Sequence, residues 1–383
     1  MSTSRRAKAL FELKRFKDFL KIFTRSRRGM LGIGIIIFFI VIAASAPLLT
    51  PYDPTTTYVS PKIAYRFSKP TLYKYLFPRE NISENIDPIP DPFFKTAASI
   101  EKLEFNVIPT GQSSINREFA ANTGYPLGSG SGCLAIVFKR EVDTTPYGEV
   151  KADLSKVFNY PYSFPPQQFQ GGAAISIDNP QNISIKINIV LRKIDSEKKI
   201  IWTNENFKTS TKGWIVPDPP IDSDTYSTRD WFNDTLGPEW FQHPARKMFS
   251  EPVEYEYRVE MTFNDTRQGE NVEATVYIDD LYLRIFGNSF GFLGTDQYGR
   301  DIFTQLIYGT RISLIIGLSS AFFSTLLGLF IGLSAGYIGG FADQILMRFT
   351  DMLLSIPDTP LYIVLMAVLS PRIETLILLI TLL

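Results

Sequence analysis

The sequence predicts an α-helical polytopic membrane protein with an inserted extracytoplasmic antiparallel β-sandwich. Three observations lead to this. A basic N-terminal tail runs into a long uncharged apolar stretch, and a second such stretch lies near the C-terminus. The region between them is a series of short, alternating segments set off by polar turns. A chain of 383 residues has room for two or three ordinary domains. Its net charge is zero, yet residues 1–50 hold ten Lys/Arg against Glu12 and Asp18, and residues 51–300 hold 26 basic against 32 acidic side chains. The last 83 residues hold three basic and five acidic ones. Charge balances this different belong to different environments.

Residues 1–28 read as a cytoplasmic basic tail and 29–50 as the first transmembrane helix. "MLGIGIIIFFIVIAASAPLL" (Met30–Leu49) supplies 20 mostly apolar residues. At about 1.5 Å per residue they extend about 30 Å, enough to cross a hydrocarbon core. "AASAP" resembles a signal-peptide cleavage site, but the apolar run before it exceeds the roughly 7–15 residues of a signal peptide. The basic tail places the N-terminus in the cytoplasm by the positive-inside rule, so residues 51–292 lie outside. "ISLIIGLSSAFFSTLLGLFIGLSAGY" (Ile312–Tyr337) is the second crossing. Its Gly317, Gly328, Gly332 and Gly336 suit close helix packing in lipid. A third span is expected near Met352–Ser370. The final "TLILLITLL" is too short to cross a bilayer, so the chain is read as ending inside a fourth helix or on a stub that needs partner helices.

In the external region, residues 51–95 read as an irregular lead-in and about 100–287 as the sandwich. "CLAIVFKR", "AISIDN", "ISIKINIVLRKI", "KKIIWTNENF", "EYEYRVEMTF" and "ATVYIDDLYLRIF" are rich in β-branched and aromatic residues. Ile183, Ile185, Ile187, Ile189 and Leu191 fall on one face of their segment, with Ser184, Lys186, Asn188 and Val190 on the other. "DNPQN", "DSEKK" and "NDTRQGEN" supply the turns. Many short strands with polar turns argue for an antiparallel sandwich. Cys133 is the single cysteine, so no intrachain disulfide forms. Asn81, Asn182, Asn233 and Asn264 open Asn-X-Ser/Thr sequons and are candidate glycosylation sites, all on the external side.

Enzyme chemistry finds little support. His243 is the only histidine and reads as a loop residue, so no catalytic residue and no metal site is assigned. Paired carboxylates able to hydrolyse glycosides always occur among 32 acidic residues and carry no specificity. The ending "VEATVYIDDLYLRIFG" is similar over about a dozen residues to the last strand of jelly-roll carbohydrate modules. Asp279-Asp280 there is read as a solvated strand end, with a structural cation as the alternative. Trp202, Trp214, Trp231 and Trp240 are read as core residues before sugar platforms.

The last 90 residues contain "LGTDQYGRDIFTQLIYGTRISLIIG" and "GLFIGLSAGYIGGFADQILMRFTDMLLSIP". Gly294, Thr295, Asp296, Gly299, Arg300, Asp301, Gly309, Arg311 and Ser313 closely resemble the permease subunits of oligopeptide/dipeptide-type ABC importers, the binding-protein-dependent inner-membrane components. So do Ala335, Gly336, Tyr337, Gly339, Gly340, Asp343, Met347, Arg348, Asp351 and Pro357. The N-terminal "RRGMLGIGIIIFFIVIAASAPLLTPYDP" fits the family's first helix and its exit. The resemblance covers roughly residues 25–60 and 290–383, and the segment 293–383 then corresponds to helices two and three of the permease core and the start of helix four. Two departures stand out. Some 230 residues separate helix one from the Gly-Thr-Asp segment, where many members have a short connection. The chain also stops before the cytoplasmic coupling loop that docks on the ATPase, so it is expected to be a piece of a six-helix permease.

The resemblance implies a type I ABC importer permease, a transport subunit and not an enzyme, that forms part of a pore for peptides or for di- and oligosaccharides. It implies a second permease subunit, two cytoplasmic ATPase subunits and an extracytoplasmic substrate-binding protein as partners, in a cell membrane, with no bound cofactor and no nucleic acid. Asp358, the one charge inside the third span between Pro357 and Pro360, is a pore candidate at an expected break in the helix. The alternative from a different class is a membrane-anchored surface glycan-binding or adhesion protein.

Overall fold

The computed structural model describes residues 26–54, 62–108, 113–121, 123–126, 132–142, 148–194, 199–218, 220–224, 244–266 and 270–382. They fall into two compact units, Met1–Thr55 with Phe303–Leu383, and Thr56–Ile302. Helix α1 (Arg27–Leu49) opens where Ser26 caps it, its Oγ accepting from Gly29 N at 3.3 Å. Helix α2 runs from Ile302 to Ile338, 37 residues. It begins ten residues ahead of the uncharged stretch, so Arg311 is a helical residue and not a residue before the helix. Both helices are long and apolar enough to cross a membrane. The expected third span is broken into α3 (Gly340–Leu354) and α4 (Asp358–Leu369), bent by 87°. Pro357 fixes φ at −65° with ψ 115° and has no N–H, so the helix ends before it. Helix α5 (Ile373–Leu382) follows.

The second unit is a sandwich of two antiparallel five-stranded sheets. The strands are β1 (Glu104–Ile108), β2 (Ser114–Ala121), β3 (Gly132–Arg140), β4 (Gly148–Asn159), β5 (Gln168–Asp178), β6 (Ser184–Lys193), β7 (Lys199–Phe207), β8 (Ile221–Asp222), β9 (Glu254–Asp265) and β10 (Val272–Phe286). One sheet is ordered β1-β4-β9-β6-β7 and the other β2-β3-β10-β5-β8. The alternation expected in β6 holds in part: Ile185, Ile187, Ile189 and Leu191 are fully buried in the core cluster that also holds Ile175, Ile177, Val276 and Ile278 of the other sheet, but Asn188 and Val190 on the opposite face are buried as well. Arg140 at the end of β3 donates from Nε to Asp265 Oδ2 at the end of β9, 2.5 Å, and so ties one sheet to the other with both side chains buried.

Asp279 and Asp280 sit at an irregularity in the β10–β5 register. The pair is not a solvated strand end. Asp279 is fully buried, and its oxygens are satisfied by backbone: Oδ2 accepts from Tyr125 N at 2.7 Å and Oδ1 from Asp280 N at 2.8 Å. That carboxylate is spent on backbone donors, which also argues against its holding a cation. Trp202 is core, and Trp214 is half-buried with its ring 5.9 Å from that of Tyr125. Trp231, Trp240, His243 and the sequon at Asn233 lie outside the described residues. Asn81 and Asn182 are exposed, and Asn264 is half-buried in β9.

Candidate functional site

The Gly-Thr-Asp and Gly-Arg-Asp residues form one closed turn in the sandwich unit. Asp296 Oδ1 accepts from Tyr298 N at 2.9 Å and Arg300 N at 3.0 Å, while Oδ2 receives Arg300 Nε at 2.8 Å and Nη2 at 2.7 Å. Two guanidinium nitrogens on one carboxylate oxygen and two backbone N–H groups on the other pair the charges inside the turn. Asp296 N also bonds Arg300 O, and Thr295 bridges to Asp301 as in a two-residue ladder. Asp301 is buried, and Ile302 N returns to Gly294 O at 3.0 Å at the start of α2.

The turn is held by a strap, residues 62–71, that the sequence reads only as part of an irregular lead-in. Thr295 Oγ1 donates to Tyr65 O at 2.6 Å and accepts from Ser68 N at 2.8 Å. Thr295 N bonds Ser68 O and Phe67 N bonds Asp296 O, each at 3.0 Å. Gly294 and Gly299 have φ of +79° and +78°, and a Cβ on either would lie 2.3 Å from a strap carbonyl, Ser68 O or Ala64 O. Only glycine satisfies both the conformation and the approach. The strap continues this pattern to Asn288 and Gly291, through Lys69 N to Asn288 O at 2.8 Å and Thr71 N to Gly291 O at 3.0 Å.

In the membrane unit two polar contacts join α1 and α2. Thr50 Oγ1 and Thr304 Oγ1 lie 2.6 Å apart, both buried. Seven residues further along each helix, Arg311 Nε donates to Ala43 O at 2.6 Å. Arg311 also lies 5.0 Å from the Tyr308 ring. The remaining candidates are not brought together. Gly309 and Gly336 face open space in the chain, Tyr337 is exposed at the end of α2, and Gly340, Asp343, Arg348 and Asp351 are spread along α3. Among the described residues Asp343, Arg348 and Asp351 make no ion pair with one another. Asp358 is the first residue of α4, exposed, and its Oδ1 accepts from the adjacent Thr359 N at 2.7 Å; the helix has no side-chain cap.

Away from the turn, Asp280 stands apart. Burial pushes its carboxyl up to about 6, with the neighbouring Asp279 adding to the effect. Its backbone is left-handed, with φ 45°, and Oδ1 is shielded from solvent with no hydrogen-bond partner among the described residues.

Residues 14–70 match the family described as the N-terminal transmembrane domain of oligopeptide transport permease C. Segments of the chain match curated permeases of the same kind. The dipeptide transport system permease protein of Haemophilus influenzae is 45% identical over 85 residues, covering 22% of this chain and 29% of that protein. Its counterpart in Bacillus subtilis is 42% identical over 88 residues, 23% and 28%. The glutathione transport system permease protein of Pectobacterium atrosepticum is 40% identical over 98 residues, 26% and 33%. The chain thus spans about a third or less of the length of the curated relatives it matches. Over those segments the resemblance to dipeptide and oligopeptide ABC permeases holds.

The sandwich is similar to solved carbohydrate-binding modules. One, from the β-sandwich superfamily, gives a TM-score of 0.29 at 13% identity, covering 50% of this chain and 61% of that one. Another, complexed with β-1,4-galactotriose, gives 0.28 at 13%, covering 52% and 97%. These scores are too low to argue from, and the sandwich rests on its own strand order.

Proposed function

We propose that the chain is a transmembrane permease subunit of a binding-protein-dependent ABC importer. It forms part of the pore, a second permease subunit completes the pore, and two cytoplasmic ATPases drive it. An extracytoplasmic binding protein delivers peptides, with di- or oligosaccharides as the second substrate class. The N-terminal tail is cytoplasmic and the sandwich external. The observation that carries this reading is the match of residues 14–70 to the oligopeptide-permease domain, joined to the spaced signature from Gly294 to Pro357. Gly294 and Gly299 of that signature support it further, since each meets a demand of the closed turn that a side chain would fail, and Thr295 ties the turn to the strap. Arg311 and Thr304 support it as residues that fix α1 on α2.

Deleting the gene from its host and measuring uptake of radiolabelled short peptides and short oligosaccharides tests the proposal. ATP-dependent uptake of one class is expected to disappear and to return on complementation, with a second permease and ATPases co-purifying. Unchanged uptake of every compound, with no such subunits retained, overturns it.

A further inference from the structure

The sandwich carries a cleft of about 640 Å³ lined by β5, β8 and β10 and the segments beside them, in the range of ordinary small-ligand sites. Its polar groups are Gln170, Asp222 and Asp280, and its aromatic walls are Phe93, Tyr125 and Tyr282. The permease reading does not use it. The ring of Tyr282 can pack close against β5 because residue 172 is glycine: a Cβ there would come within 2.5 Å of a Tyr282 ring carbon. An aromatic lining of this kind offers faces to the C–H surfaces of a ring-shaped ligand.

The polar side is built and held. Gln170 and Asp222 are each more than nine-tenths buried. Asp222 Oδ1 accepts from Gln168 Nε2 at 2.5 Å and Asp224 N at 2.9 Å, and its Oδ2 accepts from Gln170 Nε2 at 2.7 Å. Gln170 Oε1 in turn accepts from Lys62 N at 3.1 Å. The Asp222 charge is therefore spread over fixed neutral donors, which makes the cleft wall polar and acidic and holds its shape. Asp280 also lines the cleft, and its Oδ1 has no hydrogen-bond partner among the described residues, so a turn of its carboxyl toward a ligand hydroxyl would satisfy it. Among the described residues no Lys or Arg lines the cleft, which disfavours phosphate, carboxylate and other anionic ligands.

We infer that this cleft binds a neutral, polyhydroxylated ligand of the short-oligosaccharide class, which stacks on Tyr282 and donates a hydroxyl to Asp280. An extended peptide is the competing occupant.

Titration calorimetry on the full chain in a non-glycosidic detergent tests this, with cellotetraose, xylotetraose, mannotetraose and galactotetraose as probes and tetraalanine as the contrast. At least one oligosaccharide is expected to bind saturably. Tyr282→Ala and Phe93→Ala should each weaken it about tenfold, as loss of an aromatic contact does, while Tyr282→Phe keeps it. Melting curves that match the parent's separate lost binding from lost folding, and Phe93, on the rim, serves if Tyr282→Ala unfolds. The inference falls if no oligosaccharide binds, if binding is indifferent to both alanine variants that fold, or if tetraalanine binds and Asp222→Asn abolishes that binding instead. The permease reading survives all three outcomes, because it rests on uptake.

Discussion

Arg311 of α2 donates to the carbonyl oxygen of Ala43 in α1, and that oxygen is the one Pro47 leaves without its helical partner. In an uninterrupted helix Ala43 O would receive the N–H of residue 47, which proline lacks. A long, charged side chain from the neighbouring helix replaces the missing bond. In lipid an unsatisfied carbonyl is costly, so one defect explains why a cation is placed about a quarter of the way along α2.

Arg311→Met should destabilise the protein in detergent by roughly 1–2 kcal/mol. In a Pro47→Ala background the same change should cost clearly less, because the backbone N–H restored at position 47 then serves Ala43 O. A thermal-unfolding double-mutant cycle measures this. Equal costs in both backgrounds would refute the pairing of defect and repair.

Gly294→Ala should cost about 2–3 kcal/mol, since it imposes left-handed strain and a clash with Ser68 O together. Release of the strap should then free the backbone around the exposed Arg66, and limited trypsin digestion is expected to cut there sooner than in the parent. Gly32→Ala in α1, where a Cβ meets nothing within 4 Å, is the control and should leave the rate unchanged.

Asp280 gives a pH dependence of known sign. Its folded pKa, about 6, is above the ordinary value of 3.8, so folding disfavours the ionised form. Stability carried by the protonated carboxyl is full below about pH 4 and is lost as pH rises through about 6. Asp280→Asn keeps the shape, tolerates the left-handed backbone and does not titrate. The variant should melt higher than the parent at about pH 7.5, with the difference shrinking towards about pH 4. A difference that stays constant across this range would show that the carboxyl is not the titrating group.

Removing one partner of the buried Arg140–Asp265 pair takes from the other a charged contact that water cannot replace between the sheets. Asp265→Ala should destabilise the sandwich by about 3–5 kcal/mol. Lys139→Ala, whose partner Glu273 is exposed, should change stability by less than about 1 kcal/mol. Chemical denaturation followed by circular dichroism compares the two.

Orientation rests on the ten basic residues of the N-terminal tail. A protease added outside intact cells should cut within residues 60–290 and spare that tail. Cleavage of the tail would reverse the topology.

How much of this was legible in the sequence depends on the range of each interaction. The face of β6 was legible because five apolar residues alternate within one run. The break before Asp358 was legible because Pro357 imposes it locally. Strand β4 was not recognised: its inward Val150, Ala152 and Leu154 alternate with Lys151 and Asp153, and the small alanine weakens the pattern. The signature residues were recognised as a set, but their partners were not, since Ser68 and Thr295 are 227 positions apart and no periodicity links them. The start of α2 was placed too late because apolarity marks where lipid is expected, while the helix is begun by the turn's own bonds. The role of Asp279 was missed for the same reason of range: its partner Tyr125 is 154 positions away.

The strap has a consequence for the order in which the protein forms. At roughly 5–20 residues per second, synthesis of the stretch between Ser68 and Thr295 takes about 10–45 s, during which the strap has nothing to bind. Closing so long a loop unaided carries an entropic cost that grows with its length. The sandwich shortens it: once β10 is in place, Ile86 and Ile285 exchange two backbone bonds of 2.9 Å and bring the two ends of the insertion side by side. The large insertion thus serves as a folding template for the signature it interrupts. Lesions deep in the sandwich core should therefore loosen the Gly-Thr-Asp turn without touching it.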